Sequence, residues 1–176
     1  LTILEKFGTL DVNLMYIGAK NNVFNSHVEF FSKMKKGTLY GLTPLVNETA
    51  CGPDFYEEAK KSGHYIELDP AMSMEEAKEY ANKMDVLYTD TWVDMEFFNN
   101  PAYQKQKEET LAKMMPYQLN GDFTKDSKAI VFHDMPMHVG FEISQDVVDK
   151  NLDHILDEAE NRRHAEKAVM YTLLNS

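Results

Sequence analysis

Polar side chains that could bind or react with a small ligand follow three apolar segments that are typical of strands. Of five predicted strands, the first is followed by Asn22, the fourth ends near Asp90, and the fifth ends near His133 and Asp134. Since the carboxyl ends of parallel strands gather at one edge of a sheet, these side chains are expected to lie together. Amides and carboxylates there could hold an ammonium group and a carboxylate of one ligand. The alternative is that they cap helices, a routine role of Asn and Asp.

Three other kinds of site find little support in the sequence. The turn 18–22 lacks the second and third glycines of a dinucleotide fingerprint, and no Gly-Lys-Ser/Thr phosphate loop is present. A metal site built from His133, Asp134 and His138 has neither helical pairing nor a nearby cysteine, so structural histidines are favoured. Cys51 stands in a loop without an adjacent base, and there is no Gly-x-Ser-x-Gly elbow. No metal and no cofactor are therefore predicted.

Arg162 is a further candidate, near the start of a predicted last helix over 158–174. The planar guanidinium suits a carboxylate, a phosphate or a carbonyl. A salt bridge to Glu158 or Glu166 is the alternative, and on spacing alone it is favoured.

Strand-like and helix-like segments alternate along the chain, which predicts right-handed crossovers and a parallel sheet. The expected fold class is α/β, a Rossmann-like three-layer domain with a five-stranded, mainly parallel sheet flanked by helices. A polar stretch over 120–128 is expected to be a surface loop. The predicted strands are 14–18, 38–42, 65–68, 85–91 and 129–135, and the predicted helices are 23–36, 54–62, 73–83, 101–115 and 158–174.

The first eight residues are expected to form a separate short helix that ends at Gly8. A lone helix ahead of the first strand often joins one domain to another. The predicted organisation is therefore an inter-domain helix over 1–8 and a ligand-binding domain over 9–176.

Composition narrows the classes of partner. The formal net charge of -11 argues against nucleic acid and anionic membranes, which are usually met by clustered Lys and Arg. No apolar run approaches the roughly 18 residues of a membrane-spanning helix. Cys51 is the only cysteine, so no disulfide framework is expected. A reducing, cytoplasmic setting fits best, and no signal peptide is visible, although the chain starts at Leu1.

Four segments resemble motifs of the aspartate and ornithine carbamoyltransferases, most closely those of the ornithine enzymes. Residues 18–26 are similar to Gly-Asp-x-Asn-Asn-Val-x-Asn-Ser, and 85–95 to Asp-Val-x-Tyr-Thr-Asp-x-Trp-x-Ser-Met-Gly. Residues 133–136 are similar to His-Cys-Leu-Pro, and 157–170 contain the closing Asp-Glu-Ala-Glu-Asn-Arg. The segments occur in family order and cover nearly the whole chain.

The resemblance implies the acceptor-binding half of such an enzyme. Carbamoyl phosphate would be bound by an N-terminal domain carrying Ser-x-Arg-Thr, a motif that this chain does not contain. The implied reaction is attack of the ornithine side-chain amine on the carbamoyl carbon, which gives citrulline and phosphate. The intact protein would be a trimer-based oligomer, and the isolated chain would be inactive.

The resemblance also assigns roles to matching residues. Asn22 would hold the α-carboxylate of the acceptor, and Asp90 its α-ammonium group. Met95 would offer its backbone amide from a mobile loop. His133 and Arg162 would face the carbamoyl phosphate.

The chain departs from the family pattern where the family contacts the acceptor. Asp94 and Glu96 replace the Ser and Gly of the loop, and Asp134 replaces the Cys that contacts the reacting amine. Asp94 and Met135, which stands at the family's Leu, count as substrate-binding residues, and Asp134 as a catalytic one. A carboxylate at Asp134 would favour the unreactive ammonium form, unless its own pKa were raised so that it accepted a proton.

Alternatives therefore stay open. The acceptor could be another amine, such as putrescine or lysine, or the chain could belong to a catalytically silent binding subunit. Aspartate fits less well, because Asp90, Asp94 and Asp134 would repel an acidic acceptor.

Overall fold

The computed structural model describes residues 1–93 and 95–176 and contains one five-stranded sheet, entirely parallel, in the order β3-β2-β1-β4-β5. The predicted α/β class is confirmed. The strands are β1 (Asn13–Lys20), β2 (Thr38–Val46), β3 (Tyr65–Glu67), β4 (Val86–Thr89) and β5 (Ile130–His133). The helices are α1 (Thr2–Phe7), α2 (Asn22–Met34), α3 (Pro53–Lys60), α4 (Met74–Ala81), α5 (Met95–Phe98), α6 (Gln104–Met114), α7 (Gly121–Thr124) and α8 (Gln145–Leu174).

β1 is the central strand because its residues are apolar on both faces. Residues 14–19 are buried, and Leu14 pairs with Leu39 of β2 on one side and with Val86 of β4 on the other. The chain winds from β1 outward to β3 and then returns to β4 and β5 on the opposite side. The strand order therefore reverses between β1 and β4, where parallel sheets of this kind bind ligands.

Two apolar layers cover the sheet. One contains Phe24 and Val28 of α2 and Tyr56 of α3. The other contains Ala77 of α4 and Ile155 of α8. The sheet thus lies between two layers of helices, as the sequence predicts.

α1 ends at Gly8, which adopts the left-handed conformation with φ 68° and has no Cβ to strain there. It is held to α8 by Asn161, whose amide donates to Thr2 Oγ1 (3.1 Å) and Glu5 Oε2 (2.6 Å). A role of this segment between two domains stays a prediction.

Two sequence predictions are wrong in their details. The last helix begins at Gln145, well before residue 158, because Val147 and Val148 pack into the core. The stretch 120–128 contains α7, whose first turn is capped by Asn120 and whose Phe123 is buried.

The two halves of α8 differ in their surroundings. The first half packs on β5, whereas every residue from Arg162 onward is exposed. Large apolar side chains lie along this exposed half, namely Val169, Met170, Tyr171, Leu173 and Leu174. Within the described residues, no helix has the length and apolar character needed to cross a membrane.

Candidate functional site

Asp90, His133 and Asp134 meet at the carboxyl ends of β4 and β5. Thr89 pairs with His133 in the sheet, so the residues that follow each of them leave the sheet side by side. One side-chain ligand atom of each of the three lies within 4.8 Å of the others. The structure thus brings together three of the predicted site residues.

Asp90 is fixed by hydrogen bonds to both carboxylate oxygens. Asn21 Nδ2 donates to Oδ2 (2.6 Å), and the Thr91 backbone N–H donates to Oδ1 (2.6 Å). Asn21 Oδ1 in turn accepts from Phe24 N (2.9 Å) and so caps α2. The sequence indicated Asn22 rather than Asn21; the cap position directly before the helix is the signal that could have identified Asn21.

His133 is completely buried and is oriented by two partners. Its Nδ1 accepts from the Met135 backbone N–H (3.0 Å), and Nε2 lies 3.2 Å from Glu142 Oε1. Because Nδ1 acts as an acceptor, we assign the imidazole proton to Nε2, which donates to Glu142. Glu142 is 1% exposed and was not predicted, because it lies in an irregular stretch without a recognisable pattern.

Asp134 is the least satisfied group of the cluster. Its Oδ1 is buried and accepts no hydrogen bond from the described residues. Burial raises the pKa of Asp134 to about 8, and the neighbouring charges of Asp90 and Glu158 act in the same direction. His133 Nδ1 lies 3.7 Å away but carries no proton to donate in the assigned tautomer.

Glu158 on α8 adds a further carboxylate behind Asp134. Its Oε1 accepts from the Tyr88 hydroxyl (2.8 Å), and its Oε2 is buried without a partner among the described residues. Burial raises the pKa of Glu158 to about 7, although the Tyr88 hydrogen bond opposes that shift. Among the described residues, no Lys or Arg forms an ion pair with Asp90, Asp134 or Glu158.

Asn22, a predicted acceptor-binding residue, is not brought into this cluster. Asn22 is exposed in the first turn of α2, where its backbone N–H donates to Thr49 Oγ1 (3.3 Å). Asp94 lies outside the described residues, and so does the side chain of Met95, which begins α5. Met135 is half-buried with a left-handed backbone (φ 54°) and turns the chain after Asp134.

Arg162 also lies apart from the cluster. Its side chain is exposed, and Nε donates to Glu166 Oε1 (3.0 Å), which is one of the salt bridges that the spacing favours. Arg162 follows Glu158 by one helical turn, so both lie on one face of α8. A role toward carbamoyl phosphate stays a prediction.

The cluster is poorly suited to a metal ion. Both nitrogens of His133 already have hydrogen-bond partners, so no lone pair is free to ligate. His138 instead stacks on Phe98, with ring centroids 3.5 Å apart. A buried and a partly buried carboxylate without a paired cation are better suited to attracting an ammonium group. The fold and this edge define a doubly wound α/β domain with an acidic cluster at its strand ends.

Comparison with known proteins gives the family. The family model "Aspartate/ornithine carbamoyltransferase, Asp/Orn binding domain" matches residues 10–173. This chain belongs to that family.

Among individual relatives, the chain is 35% identical over 190 residues to an ornithine carbamoyltransferase of Pyrococcus horikoshii, covering 99% of the chain and 53% of that protein. An ornithine carbamoyltransferase of Chlorobaculum tepidum is 34% identical over 170 residues, covering 94% and 46%. The solved ornithine carbamoyltransferase of Pyrococcus furiosus superposes with a TM-score of 0.76 at 30% identity, covering 96% and 52%. The chain thus spans about half the length of these relatives.

Proposed function

We propose that this chain is the acceptor-binding domain of an ornithine carbamoyltransferase, which transfers a carbamoyl group from carbamoyl phosphate to the side-chain amine of ornithine. The observation that carries the proposal is the cluster of Asp90, His133 and Asp134 at the carboxyl ends of β4 and β5, next to the strand reversal between β1 and β4. It lies inside the region that matches the acceptor-binding model, and relatives at 34–35% identity are named ornithine carbamoyltransferases.

In this proposal the acceptor lies across the carboxyl ends of β1 and β4. Asp90, held rigidly by Asn21, binds the α-ammonium group, while Asn22 reaches the α-carboxylate from the exposed first turn of α2. Asp94 and the Met95 amide would complete this end of the site. The reactive amine then points toward Asp134, and Met135 borders it.

Catalysis would rest on positioning and on charge stabilisation. The carbamoyl carbon is attacked by the neutral amine, and the tetrahedral intermediate expels phosphate. His133 and Arg162 would face the carbamoyl phosphate, which a separate N-terminal domain would supply. The exposed position of Arg162 is compatible with that role, because its guanidinium is accessible from outside this domain.

The charge of the site supports a cationic acceptor. Asp90, Asp134 and Glu158 converge without a Lys or Arg paired to them in the described chain, so an aspartate side chain would be repelled there. Ornithine, lysine and putrescine all offer the required ammonium group.

The wider setting belongs to the same proposal. Residues 1–8 would form a helix between two domains, and the exposed apolar half of α8 would be covered in the intact protein. We propose a cytoplasmic, trimer-based oligomer that functions in arginine metabolism.

The test is a transfer assay on this chain joined to a carbamoyl-phosphate-binding domain. Carbamoyl phosphate is supplied with equal amounts of ornithine, putrescine, lysine and aspartate, and the products are identified by mass. Citrulline is expected as the main product, and the isolated chain should form none.

Two variants sharpen the assay. Asp90→Asn should lower kcat/KM for ornithine by about 100-fold, because a charge-assisted bond to the acceptor is lost. Asp153→Asn, an exposed position on α8, should change nothing. A different carbamoylated amine would reassign the acceptor, and the absence of any product would favour a silent binding subunit.

A further inference from the structure

We propose that Asp134 is a catalytic base that takes a proton from the terminal ammonium group of the acceptor. The acceptor would then enter the site as a cation and be deprotonated there. This inference rests on the proposed function and deepens it, because it specifies the protonation state in which the substrate is bound.

The hydrogen bonds exclude His133 as this base. A base needs a lone pair directed at the substrate, yet His133 Nδ1 already accepts the Met135 N–H, and Nε2 carries the proton donated to Glu142. The ring is also completely buried within this domain. His133 therefore stabilises the end of β5 through its two hydrogen bonds and does not transfer the proton.

Asp90 is also less suited. Its Oδ2 accepts from the Asn21 amide and its Oδ1 from the Thr91 N–H, so both oxygens already have a hydrogen-bond donor. The carboxylate is thereby held in one orientation, in which it can attract the ammonium group. Asp90 therefore binds the ammonium group, and a different residue accepts its proton.

Asp134 combines incomplete hydrogen bonding with a position at the strand ends that a ligand can approach. Its Oδ1 is buried and accepts no hydrogen bond from the described residues, whereas about a third of the side chain as a whole is exposed (34%), so a ligand can approach the exposed part of the carboxyl group. It stands at the end of β5, beside Asp90, where the acceptor amine must approach.

The groups that face Asp134 come from four elements of the fold. Asp90 follows β4, His133 precedes Asp134 on β5, and Glu158 faces it from α8. Burial raises the pKa values of the Tyr16 hydroxyl on β1 and the Tyr88 hydroxyl on β4, and the nearby Asp134 charge acts in the same direction. None of these groups is a permanent cation. The surroundings therefore favour the protonated carboxyl group, which is the state that a base must reach.

The proton transfers balance as follows. The acceptor R–NH3⁺ gives one proton to the Asp134 carboxylate, which leaves R–NH2 and a neutral carboxyl group. The nitrogen lone pair then forms the C–N bond to the carbamoyl carbon, and the C–O bond to phosphate breaks with its electron pair leaving on the phosphate. The second nitrogen proton leaves with the phosphate, and Asp134 returns its proton to solvent.

The pH dependence of kcat/KM tests this step in the same two-domain protein. In the unsubstituted protein, kcat/KM for ornithine should rise to a plateau above pH 8, since the pKa of Asp134 is about 8. Asp134→Asn should lower kcat/KM by about 100-fold at pH 7, the scale of general-base catalysis. The variant should lose the inflection near pH 8 and rise toward about pH 10, where free primary amine forms.

The controls separate this proposal from the proposed function. Asp134→Ser gives the same test if the Asn variant does not fold, and Asp153→Asn should keep the original pH profile. A citrulline-forming protein whose Asp134→Asn variant retains the inflection near pH 8 would overturn the base but leave the function standing. No carbamoylated product from the unsubstituted protein would overturn both.

Discussion

Carboxylates at the two sides of the sheet's carboxyl edge have pKa values shifted in opposite directions. At the outer side, Glu67 ends β3 and forms ion pairs with Lys20 and Lys60. Burial alone would raise the pKa of Glu67, but the two lysines outweigh it, and the pKa is lowered. At the other side, Asp134 meets further carboxylates instead of lysines, and its pKa is raised.

The difference shows that a place at the carboxyl edge does not by itself make a binding site. Both regions are partly shielded from water at strand ends of one parallel sheet. Cations supplied by the chain neutralise one of them, and the other keeps an unsatisfied affinity for a cation. We expect the first region to stabilise the fold and the second to oppose folding while preparing the domain to bind its ligand.

Glu142 extends the comparison to a third carboxylate, which is buried and accepts hydrogen bonds from neutral N–H donors. Its replacement should have the largest effect on the free energy of unfolding. Glu142→Leu should lower the free energy of unfolding by about 3 kcal/mol, because His133 Nε2–H and the His138 backbone N–H lose their acceptor. Urea unfolding at pH 7 measures the loss. Glu142→Gln keeps an acceptor oxygen and should lose much less; equal stability of Leu and Gln variants would mean that these bonds contribute nothing.

Asp134→Asn should stabilise the isolated chain, in contrast to its effect on activity. The folded pKa of Asp134 is raised to about 8, so in the native protein this group's contribution to stability is present at low pH and falls as the pH rises toward 8. The Asn variant has no titrating group at this position, so it does not lose this stability as the pH rises. Its Tm should match the parent near pH 4 and exceed it by a few degrees at pH 8, measured by calorimetry.

Asp153→Asn is the matched control for this measurement, because Asp153 is exposed on α8. A gap in Tm between parent and Asp134→Asn that stays constant from pH 4 to pH 8 would contradict the raised pKa.

Glu67→Gln should give the smallest effect and the opposite sign. The pKa of Glu67 is lowered in the folded state, so its contribution is present at neutral pH and disappears as the pH falls below its usual range. We expect a loss of roughly 0.5 kcal/mol at pH 7, because solvent screens a half-buried pair. The loss should vanish near pH 3 and become smaller in high salt. As a control, Glu58→Gln should leave the free energy of unfolding unchanged, because Glu58 and its partner Lys61 are both exposed.

The fold was predictable from sequence where burial on two faces left a continuous apolar run. Leu14, Met15 and Ile17 are such a run, and they form the centre of the sheet. Ser73 and Glu76 form a capping box at the start of α4, within the range 73–83 predicted as a helix. The start of α8 was missed, although Val147 and Ile155 are spaced for one helix face.

The site residues that directly follow a strand were predictable, because the ends of the strands can be read from the sequence. Asp90, His133 and Asp134 come together because β4 and β5 are neighbours, which alternating strands and helices already implied. Glu142 could not be found, because a tertiary contact from an irregular stretch leaves no period in the sequence. Asn21 was passed over for Asn22, since only the path of the backbone decides which of two adjacent amides turns inward.

Trp92 gives the domain a built-in optical probe. It is the only tryptophan in the sequence, it is 2% exposed, and it lies two residues beyond Asp90. With Val93, Phe97 and Tyr103 it lines a cavity of about 220 Å³ next to the strand ends. Fluorescence excited at the indole band therefore originates at one point, two residues from Asp90 in the cluster at the strand ends. A shift in that emission can follow ligand binding there without any label.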